Sequence, residues 1–236
     1  LMICRFFNQS KMKKYIIFPY LFLLFALISC HKEIKAEKGG IDLISNVYFD
    51  ASKGLNKMQN FHISRLNYQN DSIIELVPDL EFPEMTTASY FIKDSVFYDL
   101  NNNTSSVLSE LQKKQKPTSV YAKTIGAVFT KDPLLNYRNR RKLSDTVLFK
   151  KNYKRFEINS PWNYTRYYIY PTDTILPYSL YKEVGKDYHG RIERIDSYDK
   201  KKDIFVTLQL IPRKNWDDTA KEIFEFNHFV KNRKSE

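Results

Sequence analysis

Cysteine and glycine are both scarce in this chain of 236 residues, which contains two cysteines and six glycines. Cys4 and Cys30 form no Cys-x-x-Cys redox motif and cannot supply a cysteine-based metal site. The few glycines form no Gly-rich loop of the kind that cradles phosphates, and Gly-x-Ser-x-Gly is absent. The four histidines, His31, His62, His189 and His228, lack metal-binding spacing. The sequence therefore predicts no metal, no cofactor and no enzymatic activity.

Long apolar runs are also rare, and residues 15–28 form the one that stands out. Lys11, Lys13 and Lys14 precede this run of fourteen residues. As a helix it would be about 21 Å long, whereas a spanning helix needs about 20 residues, or about 30 Å. Pro19 weakens it further as a membrane helix. Basic residues before a short apolar run are typical of an export signal.

The end of this run, Leu27-Ile28-Ser29-Cys30, resembles the lipobox of bacterial lipoproteins. The resemblance implies cleavage after Ser29 and attachment of acyl chains to the Cys30 sulfur and amino group. An ordinary cleaved signal that leaves a free Cys30 is the alternative. The resemblance also implies a cell-envelope protein, and His31, in place of the Asp that retains some lipoproteins at the inner membrane, favours the outer membrane. The leaflet and orientation stay open.

The export signal predicts how the chain is divided into segments. We expect residues 1–11 to precede the true start, residues 12–29 to form the signal peptide, residues 30–40 to form a lipidated flexible tether, and residues 41–232 to form a single domain. Loss of Arg5, Lys11, Lys13 and Lys14 lowers the formal net charge from +11 to +7. A basic protein in the envelope meets anionic lipids and glycans, so the membrane is the expected partner and nucleic acid is not.

Within the domain, apolar spacing of three and four residues predicts a helix over residues 42–58. A short helix after residue 105 and a closing helix after Asp217 are also predicted. Alternating patterns predict strands over residues 61–68, 72–77, 89–92, 95–100, 145–150, 153–159, 164–170, 174–184, 191–198 and 204–210. The predicted fold class is α+β, with a curved antiparallel sheet, an open half-barrel, wrapped around helices and flanked by an N-terminal and a C-terminal helix.

Two stretches resemble the LolA/LolB lipoprotein-carrier fold: a long helix leading into a first strand over residues 42–68, and a strand, turn and proline over residues 168–177. The resemblance implies a half-barrel over an apolar cavity that binds an apolar or amphipathic ligand, such as a lipid or a lipoprotein-like molecule. The helix that follows Trp216 and the basic segment of residues 137–142 depart from that pattern. No role is predicted for the basic segment.

The aromatic strands contain the candidate ligand-binding residues. Alternation places Tyr164, Arg166, Tyr168 and Tyr170 on one face of a strand, with Tyr167 and Ile169 on the other. Because an unpaired arginine is costly to bury, we expect the Arg166 face to be exposed or ligand-facing and Tyr167 to enter the core. Residues 174–184 are expected to pair with this strand as a hairpin.

Three functional hypotheses remain. The first is a lipid-anchored half-barrel that binds an apolar or amphipathic ligand, and the second is an envelope interaction protein that contacts a protein or glycan through an aromatic sheet face. The third is a hydrolase with a scattered site. Ser179 and Lys182 match Ser-x-x-Lys, but an expected strand would direct them to opposite faces, which argues against catalysis. The basic runs are interpreted as solvated faces.

Overall fold

Antiparallel pairing between distant parts of the chain builds this fold. A computed structural model describes residues 33–101 and 107–233. The predicted signal peptide, the cleavage after Ser29 and the lipidated Cys30 lie outside the described residues and stay predictions.

The strands are β1 Ile34–Lys35, β2 Lys38–Phe49, β3 Met58–Gln69, β4 Ser72–Pro78, β5 Thr86–Lys93, β6 Val96–Asp99, β7 Thr118–Ser119, β8 Arg141–Leu148, β9 Lys151–Asn159, β10 Asn163–Pro171, β11 Thr174–Ile175, β12 Gly190–Asp199 and β13 Ile204–Arg213. Eleven of them form a curved sheet in the order β7-β6-β5-β4-β3-β2-β13-β12-β10-β9-β8, and all of its neighbours are antiparallel. The sheet is open, with β7 and β8 at its edges. β1 and β11 form a separate parallel pair.

In the described residues, three α-helices accompany the sheet: α1 Leu108–Lys114, α2 Lys182–Tyr188 and α3 Asp218–Arg233. On one face, Leu111 of α1 and Ala220 and Phe224 of α3 pack against Ile74 and Phe91. The predicted closing helix is therefore present, and its buried side chains pack against β4, β5 and β6. No helix in the described ranges is long and apolar enough to cross a membrane.

The other face of the sheet, called the core face here, carries Ile41, Leu66 and Phe156. Two packed clusters cover parts of it. In the first, side chains from residues 120–129 and 176–180 pack over β2, β3, β4 and β5. In the second, α2 places Val184 and Tyr188 against β9, β10 and β12. Irregular chain and one short helix therefore cover the core face, while the two other helices pack on the opposite face.

The N-terminal helix predicted over residues 42–58 is wrong, because this segment forms most of β2 and a short turn at Ala51–Lys53. β2 directs Ile41 and Leu43 to the core face and Ile44 and Tyr48 to the opposite face. Apolar residues on both faces of a strand also recur at three- and four-residue spacing, which is the helical pattern. β3 and β13 pair with β2 along nearly its whole length, and this pairing decides in favour of the strand.

The strand predicted over residues 174–184 is also wrong. Only Thr174–Ile175 pairs, with β1, and α2 begins at Lys182 after Tyr181 adopts a left-handed φ of 47°. β10 therefore pairs with β9 and β12 instead of a following hairpin strand. Ser179 precedes α2, so it does not open a helix that could place Lys182 one turn later.

Ordered structure begins earlier than the predicted boundary at residue 41. β1 occupies Ile34–Lys35, and β2 begins at Lys38, which leaves Gly39 and Gly40 buried. A Cβ atom on Gly39 would lie 2.7 Å from the Tyr68 hydroxyl, so this position needs a residue without a side chain. The prediction of a flexible tether is thus wrong for residues 34–35 and 38–40.

Candidate ligand-binding face

Strand β13 carries more apolar side chains on the core face than the core clusters cover. Alternation directs Ile204, Val206, Leu208 and Leu210 to this face. Leu210 is 1% exposed and belongs to the first cluster. The other three side chains are only half-buried. One end of the strand therefore packs in the core, while the remainder of its apolar face is accessible.

Neighbouring strands extend this accessible surface. The register places Leu208 beside Ile195 and Ser45, and Ser45 beside Phe61. One row further along the strands, the side chains are Ile158, Thr165, Ser197, Val206 and Val47. The half-buried apolar side chains of these two rows form what we call the apolar stretch: Val47, Phe61, Ile158, Ile195, Val206 and Leu208.

The apolar stretch crosses six strands, from β9 to β3, which at about 4.8 Å per strand spacing is about 24 Å. Ile158 and Ile195 contact the second core cluster, whereas Val206 and Leu208 belong to neither cluster. Its polar groups are few: the Thr165 and Ser197 hydroxyls are 3.0 Å apart and bond to each other. An elongated apolar surface with a few polar groups is the usual chemistry of a site for an amphipathic molecule.

The loops at this end of the strands add further apolar side chains. They are exposed and belong to the β2–β3 and β9–β10 connections or the strand residues beside them: Phe49, Leu55, Met58 and Trp162. Isolated exposed apolar residues are ordinary on protein surfaces. Here they stand at the same end of the sheet as the half-buried rows, so apolar character continues from the core to the strand ends.

A buried ion pair holds residues 120–136 against the core face. The side chains of Glu75 and Lys123 are 0% and 1% exposed, and Lys123 Nζ lies 2.8 Å from Glu75 Oε2. Glu75 Oε1 accepts hydrogen bonds from Ser64 Oγ at 2.8 Å and from the Ala127 amide at 2.5 Å. Burial lowers the pKa of Lys123, and the Glu75 carboxylate opposes this effect. The covering segment is therefore fixed to β4 by one charged contact deep in the fold.

Gly126 is required beside this contact. Its φ of 77° is left-handed, and a Cβ atom there would lie 2.3 Å from Glu75 Oε1. The Lys123 ammonium also lies 5.3 Å from the centre of the Tyr90 ring and 5.9 Å from that of Phe129. Aromatic faces attract a cation at such distances, which helps to stabilise the ammonium away from water.

The predicted ligand-facing residues lie on the opposite face of the sheet, in a network of their own. Arg166 donates to the Tyr164 hydroxyl and lies 3.5 Å from Glu157, and Tyr164 donates to Glu157 at 2.8 Å. Burial opposes ionisation of Glu157, but hydrogen bonds from Tyr164 and Arg141, with the charges of Arg141 and Arg166, hold its pKa below the usual value. Arg166 is therefore paired, and the premise of an unpaired arginine was wrong.

Tyr168 and Tyr170 lie further along the same face. Tyr168 is 6% exposed, as buried as Tyr167 on the core face, so the expectation of an exposed Tyr168 is wrong. Burial raises the pKa of Tyr168, and the Asp196 carboxylate raises it further. Tyr153 packs against both rings, with centres 6.4 Å from Tyr168 and 6.0 Å from Tyr170. Tyr167 and Ile169 enter the second core cluster, as predicted.

Two rows of side chains cross this opposite face. The polar row contains one residue from each of seven consecutive strands: Arg141, Glu157, Arg166, Asp196, Thr207, Asn46 and Asn60. Three of its buried atoms, Arg166 Nε, Thr207 Oγ1 and Asn46 Oδ1, make no hydrogen bond within the described residues. Beside it runs the aromatic row, which contains Tyr164, Tyr198, Phe205 and Tyr48, all half-buried.

Sequence reasoning missed the apolar stretch and the buried ion pair. Val47 was assigned to a helix, and the strand that contains Phe61 was not expected to pair with residues 42–58, so the proximity of these two side chains through Ser45 could not be inferred. Glu75 did carry a signal, because it interrupts the apolar run Ile73-Ile74-Glu75-Leu76-Val77. A lone carboxylate in such a strand needs a buried partner, although its identity depends on the fold.

In the portions that the structure describes, no three histidine, cysteine or acidic side chains come together as a metal site. No protein-family model matches the chain, and no curated protein sequence matches it. Among solved structures it is similar to a crystal structure of a domain from Vibrio parahaemolyticus, provisionally named an outer membrane lipoprotein-sorting protein domain. The similarity covers 85% of this chain and 93% of that chain, with 11% identity and a TM-score of 0.28. A TM-score this low does not establish a shared fold. The fold class therefore rests on this chain's own topology, an open, curved antiparallel sheet with helices on both faces.

Proposed function

We propose that this protein is a non-catalytic binding protein of the cell envelope, anchored by acyl chains on Cys30, that holds an amphipathic ligand on the apolar stretch. The observation that carries the proposal is the incomplete burial of β13, where Ile204, Val206 and Leu208 face the core side but remain half-buried. A ligand with a hydrocarbon chain would complete the burial of these side chains.

The size of the stretch favours a long chain over a small apolar molecule. Burying the remaining surface of six half-buried side chains would contribute about 1 kcal/mol each, or about 6 kcal/mol in all. Association costs at least about 4 kcal/mol in lost freedom. A ligand that covers only one or two of the six side chains would therefore not bind measurably. A chain that covers most of them would also bury its own hydrocarbon, at about 0.8 kcal/mol per CH₂ group, and so exceed this cost. The Thr165 and Ser197 hydroxyls could hold its polar end.

The test uses the full chain and cis-parinaric acid, a fluorescent fatty acid. Val206→Lys places a charge in the centre of the stretch and should weaken binding at least tenfold. Ile211→Lys makes the same kind of change on the same strand, but Ile211 is 40% exposed and faces the opposite side of the sheet. Its binding should be unchanged.

Circular dichroism must show that both variants are folded. Equal weakening in the two variants, or a fluorescence increase that does not saturate with the wild-type protein, would contradict the proposed site. Native mass spectrometry of the purified protein then asks whether a lipid co-purifies with the wild type and is lost with Val206→Lys.

A second candidate function uses the aromatic row on the opposite face, where a glycan or another envelope protein would bind. Four neighbouring half-buried rings beside a polar row can stack on sugar rings and hydrogen-bond to hydroxyl groups. Affinity electrophoresis in gels that contain bacterial cell-wall polysaccharide tests this idea. Tyr198→Ala should abolish retardation, and Phe229→Ala, at an exposed position of α3, should not.

A further inference from the structure

A cavity opens at the β8 edge of the sheet, and none of the residues that line it belongs to the apolar stretch or to the aromatic row. Its volume is about 400 Å³, which is within the range of pockets for small ligands. The lining comes from the start of β8, the middle of β9 and the end of α2. The main polar side chains are Arg140, Lys142, Asp145, Lys154, Arg155 and Asp187.

The charges in this cavity do not balance. Arg140 Nη2 lies 3.2 Å from Asp187 Oδ2, which also accepts a hydrogen bond from the Tyr137 hydroxyl at 2.9 Å. Arg140 also stacks on the Tyr137 ring, 3.9 Å from its centre, so Arg140 and Asp187 are fixed to each other and to Tyr137. The remaining carboxylate, Asp145, is then opposed by three cations.

Two of these three cations, Lys154 and Arg155, are half-buried and have neutral partners. Lys154 Nζ donates to the Tyr188 carbonyl at 3.0 Å. Arg155 Nε donates to the Ser144 carbonyl at 2.8 Å. Neither forms an ion pair with a carboxylate in the described part of the chain. Each keeps further N–H groups that can donate, because lysine has three and arginine has five. A partly desolvated cation without a counterion is costly, so an anion would stabilise this site.

Lys154 and Arg155 both line the cavity, although alternation along β9 directs neighbouring side chains to opposite faces of the sheet. The β8–β9 register shifts between Leu143 and Thr146, as at a β-bulge. A bulge bends its strand and redirects neighbouring groups, and here the Ser144 carbonyl inside the bulge holds the Arg155 guanidinium. Positive side chains on an edge strand commonly prevent edge-to-edge aggregation, which accounts for Lys142 on β8. That role does not account for Lys154 and Arg155, which lie on the inner strand β9.

We propose that this cavity binds a phosphate-bearing anion, with Lys154 and Arg155 as its principal ligands and Lys142 at its rim. Phosphate oxygens accept several hydrogen bonds from different directions, and arginine and lysine together are the usual donors. The same chemistry is present in a soluble phosphate compound and in the headgroup of an anionic lipid. This site is independent of the apolar stretch.

Isothermal titration calorimetry of the full chain with inorganic pyrophosphate, and flotation with vesicles of equal amounts of phosphatidylglycerol and phosphatidylcholine, test the site. In whichever of the two experiments shows binding by the wild-type protein, the variant Lys154→Gln/Arg155→Gln should weaken that binding at least tenfold, since charge-assisted hydrogen bonds are lost. The control Lys200→Gln/Lys201→Gln removes the same charge from an exposed turn and should bind as the wild type does. Because the acyl chains on Cys30 would themselves bind vesicles, the flotation arm uses all variants in a Cys30→Ser background.

Binding of pyrophosphate that depends on Lys154 and Arg155 supports a soluble phosphate ligand, and flotation with the same dependence but no pyrophosphate binding supports a lipid headgroup. Equal weakening by the control variant would reduce the effect to net charge and overturn the proposal. Absence of binding in both arms with the wild-type protein would also overturn it. Lys154→Arg keeps a positively charged donor at the same position and should still bind. Its binding would show that Lys154→Gln/Arg155→Gln loses binding through the lost donors and not through misfolding.

Discussion

The buried pair of Glu75 and Lys123 gives the most direct test of the fold, and Glu75→Gln is the informative change. This substitution keeps the size of the side chain and removes its charge. The Lys123 side chain is 1% exposed, so its ammonium would remain buried without a counterion. Breaking a buried ion pair by removal of one partner costs about 3–5 kcal/mol. The amide oxygen can still accept a hydrogen bond from Lys123 or from the Ala127 amide, so we expect a value near the lower end, about 3 kcal/mol.

The effect should depend on pH in a definite direction. Burial lowers the pKa of Lys123 in the folded protein below its value of 10.5 in the unfolded chain. Between these two values the unfolded chain binds more protons than the folded protein does, so the free energy of unfolding rises with pH. Loss of the Glu75 charge lowers the folded pKa further and widens this interval. Glu75→Gln should therefore regain part of its lost stability between about pH 7 and about pH 10.

Guanidinium chloride unfolding, followed by tryptophan fluorescence at both pH values, measures these free energies. Hydrogen exchange adds a local readout, because the Ala127 amide that donates to Glu75 at 2.5 Å should exchange faster in the variant. The matched control is Glu75→Gln combined with Lys123→Met, which removes both charges and should recover most of the loss at pH 7. A single variant with wild-type stability at pH 7, or with the same deficit at both pH values, would refute the reasoning.

Three further predictions concern other parts of the chain. Tyr167→Ala should lower the free energy of unfolding by about 3–5 kcal/mol, because the Tyr167 ring stacks on Phe156 with centres 4.6 Å apart. Urea unfolding measures this loss, and a loss below about 1 kcal/mol would contradict the placement of Tyr167 in the core. Glu157→Gln should destabilise the protein at pH 7, because it removes the stabilising carboxylate charge. The stability difference from the wild type should disappear as the pH falls through the lowered pKa of Glu157, since the wild-type carboxylate is then protonated too. Thermal unfolding of both proteins over a pH series measures this difference, and a difference that grows towards acid pH would contradict the prediction. Cys30→Ser should release the protein from the membrane pellet after a salt wash, because the acyl chains supply about 0.8 kcal/mol per buried CH₂; a variant that stays in the pellet would contradict the predicted lipid anchor.

Strand assignments from the sequence were best where alternation was strict and the turns were short. The strands predicted over residues 61–68 and 72–77 are present as β3 and β4, which pair around Asn70 with its φ of 53°. The strand predicted over residues 204–210 is present as β13, with four aliphatic side chains on one side. The helix over residues 42–58 was predicted wrongly because β2 is apolar on both faces, which produces helical spacing. Residues 174–184 have strand-like composition, but Tyr181 turns the chain into α2 and leaves no strand to pair with β10.

The candidate site depended far more on tertiary structure. Alternation alone established that Tyr164, Arg166 and Tyr168 share a face, since neighbouring side chains on a strand point in opposite directions. It could not show that Arg166 would find Glu157 across the strand pair, or that Tyr168 would be as buried as Tyr167. Those outcomes depend on which strands become neighbours and on where the irregular segments pack.

The sequence alone determined the antiparallel sheet and its closing helix, because alternation and turn residues act over a few positions of the chain. It also indicated, through Leu27-Ile28-Ser29-Cys30, where we expect the anchor. Only the tertiary structure decided that β2 pairs with β13, that residues 120–136 attach through Lys123 to Glu75, and that Val206 and Leu208 remain half-buried. These features join residues far apart in the sequence. Their stability comes from contacts that exist only after the chain has folded, so no local pattern can encode them.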